Sequence, residues 1–292
     1  MHFVKAKGIL SPANGMNLYR GCSHGCIYCD SRSSCYHMDH AFEDIEVKEN
    51  AIDLFEYALR HKRKKCMIGT GSMSDPYLPL EMELGYVRKA LSLADRYGFG
   101  FTVITKSDRI LRDLDLLQTI SRKTKCVVQM TLTTYDENLC KKIEPNVSTT
   151  QQRFAALRQL HAAGIPTVVW LSPILPFLND TEDNIRGILT MCIEAHVYGI
   201  ICFGMGMTLR EGNREYFYTQ TDRLFPDLHL RERYAQTYAN QYIINSPHSR
   251  RLMQIFETIC HKHGIVTDIH QIFHYLNDFE DKTSGTQLSL WD

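Results

Sequence analysis

Three cysteines lie close together in one short segment at the spacing C-x3-C-x2-C: Cys22, Cys26 and Cys29. Thiolates at this spacing can surround one metal centre, and Gly21 and Gly25 allow the backbone to bend tightly around it. Zinc ions and fully ligated iron–sulfur clusters need a fourth protein ligand. Three thiolates on a cubane [4Fe–4S] cluster would instead leave one iron open to a substrate or cofactor. The spacing therefore indicates a cluster that takes part in chemistry.

A structural zinc site is the alternative interpretation of the same segment. His24, Cys35 or His37 could supply the fourth ligand that tetrahedral zinc requires. The two interpretations differ in what the rest of the chain must contain. An open iron needs a cofactor pocket beside it, whereas a purely structural site does not.

The elements that must position this segment alternate between strand and helix. Strands are predicted over 16–20, 66–69, 101–105, 126–132, 167–171 and 199–203. Helices are predicted over 51–61, 80–97, 109–122, 150–163 and 181–195. This alternation implies a parallel sheet with right-handed crossovers, either doubly wound or a partial barrel. Short polar or glycine-containing segments follow the strands, where parallel strands place their functional groups.

Composition narrows the class of protein. The chain has 292 residues, 44% hydrophobic and 23% charged, which suits one large or two small domains. Its 33 basic and 33 acidic side chains cancel, so no overall field favours nucleic acid. Because there is no long apolar run and no signal-like N-terminal segment, we expect a cytoplasmic protein without a membrane segment. Its ten cysteines are then expected to be thiols and cluster ligands rather than disulfides.

The stretch Tyr19–Asp30, with the aromatic Tyr28 directly before the third cysteine, resembles the radical S-adenosylmethionine (radical SAM) superfamily. The resemblance implies that the open iron binds SAM and that one electron from the cluster cleaves it to a 5′-deoxyadenosyl radical. A reductant such as flavodoxin or ferredoxin would supply that electron. Of the two folds above, the resemblance selects the partial (β/α)6 TIM-like barrel, α/β in class. The expected division is a barrel at 1–225, a helical extension at 226–276 and a polar tail at 277–292.

Within the superfamily, the chain resembles the spore photoproduct lyase-like, or DNA-repair-photolyase-like, group. The cysteine segment, Thr105–Ser107, Ile143–Pro145 and Pro173–Pro176 carry this resemblance, and Cys29–Tyr36 is also similar to the mobile pair branch. It implies an enzyme that acts on DNA, in repair or modification. Modification of a protein or peptide partner is one alternative function, and a non-catalytic iron–sulfur protein is another.

The resemblance also assigns roles to individual residues. Cys22, Cys26 and Cys29 would hold the cluster. Gly71 and Ser72 lie in the loop that receives the SAM amino group. The family's glutamate is missing there, so the polar partner would be Ser72 or one of the two polar residues that follow at 74 and 75.

Other positions would contact the rest of the cofactor. Lys106 is similar to a lysine that reaches the SAM carboxylate, and Tyr28 is the family's aromatic position. Thr131 or Thr133, at the end of the fourth strand, would bind the ribose. Glu144 would either hold an active-site loop or touch the substrate.

The hydrogen donor departs from the lyase pattern. The lyase has a cysteine after its second strand, and Ser72 occupies that position here. A serine O–H bond is too strong to donate a hydrogen atom readily to a carbon radical. This argues against carbon–carbon lyase activity on the spore photoproduct itself. Cys35 is the candidate substitute donor, and Ser72 and Cys35 are therefore the candidate catalytic residues.

Two further features concern partners. Five arginines that follow strands or lie in the C-terminal part are candidate phosphate contacts: Arg32, Arg210, Arg214, Arg250 and Arg251. The segment Gln287–Trp291 resembles the pentapeptide that binds the bacterial sliding clamp. The polar residues from Asn277 to Thr286 are predicted to be a flexible tether for it. The alternative is that Trp291 is buried against the body of the protein.

Overall fold

A computed structural model describes residues 1–283 and builds them around a parallel sheet. The strands are β1 (His2–Val4), β2 (Gly15–Met16), β3 (Tyr19–Arg20), β4 (Glu46–Lys48), β5 (Met67–Thr70), β6 (Gly100–Thr105), β7 (Cys126–Thr131), β8 (Thr167–Trp170), β9 (Gly199–Ile201), β10 (Gly206–Thr208) and β11 (Ile243–Asn245). The helices are α1 (Ala51–His61), α2 (Glu81–Leu84), α3 (Tyr86–Tyr97), α4 (Leu114–Lys123), α5 (Glu137–Ile143), α6 (Thr150–Ala162), α7 (Glu182–Glu194), α8 (Asn213–Leu224), α9 (Leu230–Tyr238), α10 (Ser249–Lys262) and α11 (Ile269–Asn277).

The main sheet has six strands in the order β2-β5-β6-β7-β8-β9, and every neighbouring pair is parallel. Each new strand is therefore added at the same edge. A doubly wound sheet would reverse its order at a switch point, which this sheet does not do. The arrangement confirms the α/β class and the partial barrel.

Helices cover the outer face of this sheet because their apolar residues recur every three or four positions. In α1 the buried residues are Ala51, Phe55 and Leu59, which share one face of the helix. Alternate strand residues such as Val128 and Val169 point into the same outer core. The remaining strand residues face the interior of the barrel.

The last described helix fills part of that interior. Ile272 and Leu276 of α11 pack with Val127, Val168 and Ile201, which alternate along their strands with the outward-facing residues. The C-terminal extension therefore shares a hydrophobic core with the barrel.

The strand predicted over 16–20 is in fact two strands in different sheets. Met16 lies opposite Thr70 in the main sheet, whereas Tyr19 pairs with Val47 in the small sheet β1-β4-β3. The chain therefore leaves the main sheet between them, and the small sheet holds the start of the cysteine segment.

Other differences have local causes. The helix predicted over 80–97 breaks at Gly85, which has a φ of 61°, and the Glu81 carboxylate accepts hydrogen bonds from the first two N–H groups of α3. The helix predicted over 109–122 begins as a 3-10 turn, Asp108–Asp113. The short helix α5 and the antiparallel pair β10–β11 were not predicted, because segments this short carry little periodicity.

The start of the predicted flexible tether is packed against the barrel. Asn277 ends α11, and the Lys282 N–H donates to the Lys123 carbonyl oxygen at 3.0 Å. Glu280 lies 2.9 Å from the Lys125 ammonium group. Flexibility over 277–283 is therefore a wrong prediction. The clamp-like segment Gln287–Trp291 lies outside the described residues. Within residues 1–283, no helix is both long and apolar enough to span a membrane.

Candidate active site

The cysteine segment forms a loop that is held by backbone hydrogen bonds. The Cys22 N–H donates to the Phe42 carbonyl at 2.9 Å, and the Ile27 N–H donates to the Ile143 carbonyl at 3.0 Å. Cys22 and Cys26 are buried and Cys29 is partly buried, all as free thiols. The three side chains border a cavity of about 140 Å³.

The spread of the three sulfur atoms separates a cluster from a single ion. Within residues 1–283, one group of three His, Cys, Asp or Glu residues has its ligand atoms within 4.8 Å of one another, and that group lies outside the cysteine loop. The three cysteine sulfurs are therefore more widely spread than this limit. Sulfurs around one tetrahedral zinc would be about 3.8 Å apart, given Zn–S bonds of about 2.3 Å. Of the three proposed extra zinc ligands, Cys35 and His37 are exposed, whereas His24 is buried and borders the same cavity, so the sulfur spacing is what decides. The donor set therefore fits a [4Fe–4S] cluster better than zinc.

The electrostatics of the loop also fit a metal centre. Burial, together with the charges of Asp75 and Cys29, raises the pKa of the Cys22 thiol to about 12. Thiolates at such a place need a nearby cationic centre to stay ionised. The imidazole of His24 borders the same cavity, and its buried Nε2 has no hydrogen-bond partner in the described chain. A cluster sulfur is an acceptor that could satisfy this nitrogen.

A second and larger cavity of about 510 Å³ adjoins the first. Residues that follow β5 and β6, or end β7, line both cavities. The shared wall consists of Cys29, Gly71, Ser72, Ile104, Lys106 and Thr131. The carboxyl ends of three parallel strands therefore meet beside the cysteine loop, as the barrel requires.

Gly71 allows two of these strand ends to approach closely. Its φ is 99°, and a Cβ atom there would lie 2.0 Å from the carbonyl oxygen of Ile104. No side chain fits at this distance, so the position requires glycine.

Of the three candidates for the SAM amino group, two already have protein partners. Ser74 donates a hydrogen bond to the carbonyl oxygen of Gly21. Asp75 accepts hydrogen bonds from the Thr105 hydroxyl and the Lys106 N–H, both at 2.7 Å. Ser72 is exposed at the junction of the cavities and is the candidate with a free hydroxyl in the described chain.

Lys106 brings a positive charge to the shared wall. Burial acts to lower its pKa, but the charges of Cys26 and Glu144 outweigh burial and raise it. The amine is therefore an ammonium group that can attract a carboxylate. Its Nζ lies 5.8 Å from the centre of the Tyr28 ring.

A buried chain of hydrogen bonds links the cysteine loop to the sheet. The Tyr28 hydroxyl and the Arg153 guanidinium both donate to the Glu144 carboxylate. Arg153 Nη1 also donates to the Thr131 carbonyl oxygen at 2.7 Å. Glu144 therefore holds a loop in place, which is one of the two roles predicted for it. Sequence reasoning missed Arg153, because a single arginine in an amphipathic helix carries no signal of burial.

Two predicted residues lie away from the cavities. Thr133 is fully buried, and its carbonyl oxygen accepts hydrogen bonds from Asn179 and Asn184. Cys35 is exposed at the surface, with its sulfur 3.3 Å from Arg210. Neither residue lines the 140 Å³ or the 510 Å³ cavity. Of the two threonines predicted for the ribose, Thr131 is the one that does.

Most of the arginines predicted to bind phosphate are engaged within the protein. Arg32 lies between the rings of Phe42 and Tyr216. Arg214 donates to backbone carbonyls, and Arg251 pairs with Glu182. Arg210 is also engaged, with Tyr242 and Cys35, but it lies 3.5 Å from Asp30, which lines the larger cavity.

Aromatic and apolar side chains form the far wall of the larger cavity. The Trp170 indole donates to Gln129 at 2.8 Å, and its ring lies 5.9 Å from that of Phe203. Phe203 is 60% exposed and Ile243 61% exposed, although both line this cavity. These residues were not predicted, because apolar residues in and after strands are usually core.

The geometry joins a cysteine loop to a strand-end pocket, and the radical SAM superfamily model matches residues 16–191. The chain belongs to the radical SAM superfamily. It is a radical SAM enzyme, as the resemblance of Tyr19–Asp30 predicted. The matched range contains the cysteine loop and the whole shared cavity wall.

Two relatives illustrate the range of similarity. An uncharacterised protein of Methanocaldococcus jannaschii is 34% identical over 187 residues, which cover 61% of this chain and 69% of that protein. An uncharacterised protein of Mycobacterium bovis is 28% identical over 224 residues, which cover 75% of this chain and 65% of that protein. The matches span about two thirds of each relative's length.

Solved structures of spore photoproduct lyase share the fold of this radical SAM enzyme. One variant gives a TM-score of 0.64 at 14% identity, over 89% of this chain and 78% of that chain. A variant with bound AdoMet and dinucleoside spore photoproduct gives a TM-score of 0.60 at 16% identity, over 84% of this chain and 72% of that chain. This structural similarity confirms the predicted fold, which the chain shares with spore photoproduct lyase.

Proposed function

We propose that this radical SAM enzyme holds a [4Fe–4S] cluster at Cys22, Cys26 and Cys29, binds SAM across the strand ends and acts on nucleic acid. When bound, the cluster and SAM supply a 5′-deoxyadenosyl radical. The observation that carries the proposal is the wall shared by the two cavities, because it brings a cofactor pocket against the open side of the cysteine loop.

The residues of this wall would bind and orient SAM. The Lys106 ammonium attracts the carboxylate, and the Ser72 hydroxyl is available to the amino group. Thr131 also lines the shared wall, and its hydroxyl suits a hydrogen bond to a ribose hydroxyl. The larger cavity then leaves its aromatic side for the substrate.

A nucleobase fits the aromatic wall. Planar bases stack on exposed aromatic rings, and each stacked base contributes about 1–3 kcal/mol. Phe203 offers such a ring, and Arg210 beside the same cavity would supply a positive charge for a backbone phosphate. The bound dinucleoside in a lyase structure of the same fold supports this substrate class.

The lack of a thiol at the hydrogen-donor position supports modification of DNA, or repair of another lesion, rather than cleavage of the spore photoproduct. In the described chain, the thiols that line the two cavities are the three proposed cluster ligands. Ser72 stands where the lyase resemblance calls for a thiol. We therefore do not extend the lyase's thiol-dependent step to this enzyme.

The decisive experiment is turnover of SAM by anaerobically reconstituted protein with damaged DNA, undamaged DNA or cell-derived peptides. We expect DNA to stimulate formation of 5′-deoxyadenosine, and a Phe203→Ala variant to need higher DNA concentrations. An exposed aromatic elsewhere, Tyr57, provides the matched control Tyr57→Ala. Stimulation by peptides alone would overturn the nucleic-acid proposal in favour of a peptide substrate.

A further inference from the structure

A second group of metal-binding side chains lies apart from both cavities, on the small sheet β1-β4-β3. His2 of β1 and Glu46 of β4 are register partners in a parallel pair. His40 comes from the loop that precedes β4. One ligand atom of each of these three residues lies within 4.8 Å of the other two.

Hydrogen bonds fix how the two imidazoles present their nitrogens. Nδ1 of His2 lies 3.0 Å from the Asp44 carboxylate, and Nδ1 of His40 lies 3.0 Å from the Ala41 carbonyl oxygen. Both oxygens are acceptors, so each Nδ1 is the protonated nitrogen. In the neutral form of each ring, Nε2 then keeps a lone pair that can bind a metal. Metal-binding histidines usually have this arrangement, with the second nitrogen donating to a carboxylate or a backbone carbonyl.

The space between the ligands matches an ion. Nε2 of His40 is buried and has no hydrogen-bond partner in the described chain. It lies 3.7 Å from a carboxylate oxygen of Glu46, which is too far for a hydrogen bond. Nitrogen and oxygen ligands of one tetrahedral zinc lie about 3.4 Å apart, given bonds of about 2.0–2.2 Å. A small adjustment would therefore seat an ion between them.

Arg20 is the competing cation near Glu46. Its Nη1 lies 3.8 Å from the carboxylate, but its Nη2 donates to the carbonyl oxygens of Tyr36 and His37, each at 2.9 Å. The guanidinium is thus committed mainly to the backbone. The same oxygen of Glu46, Oε2, faces Arg20 and His40, but at 3.8 Å the arginine is too far away to hydrogen-bond to it, so this oxygen can still bind a metal.

We propose that His2, His40 and Glu46 bind one zinc ion, with water as the fourth ligand. Two imidazoles and one carboxylate suit this ion. The site borders neither cavity, so the ion would lie apart from the proposed SAM pocket. The ion would join the 37–45 loop to the small sheet. That loop contains Phe42, whose carbonyl accepts the Cys22 N–H, so the zinc would brace the cysteine loop from outside. The site is independent of the proposed substrate.

The test is metal analysis of the full-length protein, purified anaerobically with its iron and supplied with zinc. We expect the wild type to keep about one zinc ion per chain after exchange into metal-free buffer. The amount of bound zinc should fall about tenfold or more in His40→Gln and Glu46→Gln. His37→Asn is the matched control, because His37 is exposed nearby at a φ of 50° that Asn tolerates. This control should retain its zinc.

A second control separates this site from the cysteine loop. A variant with Cys22, Cys26 and Cys29 all changed to Ala should lose iron and keep zinc. Zinc X-ray absorption of the wild-type protein should show nitrogen and oxygen ligands without sulfur. Zinc that disappears with the cysteines, sulfur in its ligand shell, or wild-type protein without zinc would each overturn the proposal.

Discussion

Lys106 has a special position among the charged residues, since it is the one lysine or arginine that lines either cavity in the described chain. We predict that Lys106→Ala weakens SAM binding about ten- to a hundredfold, because a charge-assisted hydrogen bond contributes about 1.5–3 kcal/mol. Equilibrium dialysis with SAM under anaerobic conditions measures this. The iron content should not change.

The matched control for this prediction is Lys64→Ala, in the exposed basic run before β5. It should bind SAM like the wild type. Equal affinity of Lys106→Ala and wild type would remove Lys106 from the cofactor site.

The cluster ligands are tested by comparing cysteines. Replacing Cys22, Cys26 or Cys29 by Ala should abolish 5′-deoxyadenosine formation and reduce bound iron, because each would remove one of three ligands. Cys35→Ala is the control, since Cys35 is exposed and lies outside both cavities. Iron and sulfide analysis with the SAM cleavage assay measures both effects. Loss of iron in Cys35→Ala would contradict the assignment.

Two glycines with positive φ provide a matched pair. In Gly85→Ala the new Cβ meets no atom within 4 Å, so we expect only the cost of the left-handed backbone, about 1–2 kcal/mol. In Gly71→Ala the new Cβ meets the Ile104 carbonyl oxygen, and we expect a loss of about 3 kcal/mol or more. Chemical unfolding followed by circular dichroism compares them. Similar losses would show that Gly71 is not a close-packed position.

Site residues that directly follow predicted strands could be predicted from the sequence. Site residues that reach the cavity because of the lateral order of the strands could not. Gly71, Ser72 and Lys106 directly follow predicted strands, so the parallel sheet alone brings them together. Phe203 lines the cavity because β9 neighbours β8, and that lateral order is not written in the local pattern. Thr133 was misplaced because β7 ends at Thr131 and the chain then turns inward.

At the scale of elements, the buried Tyr28–Glu144–Arg153 chain connects the cysteine loop, the end of α5 and α6. We predict that Glu144→Gln lowers the free energy of unfolding by about 3–5 kcal/mol, because Arg153 would keep its charge without a buried partner. Tyr28→Phe should cost less, since the ion pair remains. Denaturant unfolding measures both changes, and Glu232→Gln on an exposed face should stay within about 0.5 kcal/mol of the wild type.

The same carboxylate gives a pH dependence. Burial opposes ionisation of Glu144, but Arg153 and Lys106 outweigh it and hold its pKa below the ordinary value. Its stabilisation is therefore present above the pKa of the unfolded chain and is lost as the pH falls through the lower folded value. The difference between the wild type and Glu144→Gln should shrink below about pH 4. A constant difference would argue that Glu144 is not ionised.

Long periodic elements were predicted well, and short or interrupted ones were not. The helix over 51–61 has the predicted bounds, because its apolar residues repeat cleanly. The strand over 16–20 was wrong as a single element, since five extended residues carry no mark of which sheet each half joins. Pairing with distant strands, here β5 and β4, decides that.

At the scale of the whole molecule, the C-terminal part of the described chain contacts the barrel at several places. Residues of α11 enter the barrel interior, and Glu280 and Lys282 contact Lys125 and the end of α4. The division into 1–225, 226–276 and 277–292 remains our proposal. These shared contacts make independent folding of the extension unexpected.

We propose that Gln287–Trp291 binds the bacterial sliding clamp and brings the enzyme to DNA. Two leucines and a tryptophan at this spacing would enter an apolar pocket as a short extended segment. A labelled peptide of residues 283–292 should bind purified clamp at about micromolar Kd, roughly −8 kcal/mol. The full-length protein should bind the clamp with a similar Kd.

The clamp proposal has its own controls. Leu288→Ala and Trp291→Ala should abolish binding, because each removes an apolar anchor. Thr286→Ala, just before the motif, should not affect it. A peptide and a full-length protein that both fail to bind would remove the clamp as a partner.

The hydrogen bonds around the cysteine loop bear on how the enzyme matures. The partners of the Cys22 and Ile27 N–H groups are carbonyls of the chain itself, so these two hydrogen bonds do not depend on a bound metal. Iron and sulfide would then enter a loop that the chain itself already holds at these two residues. Cys29 is the most accessible of the three thiols and faces the open cavity, which offers the delivery route. We therefore expect protein purified without iron to be folded and to take up iron and sulfide without first unfolding, which circular dichroism before and after anaerobic reconstitution would show.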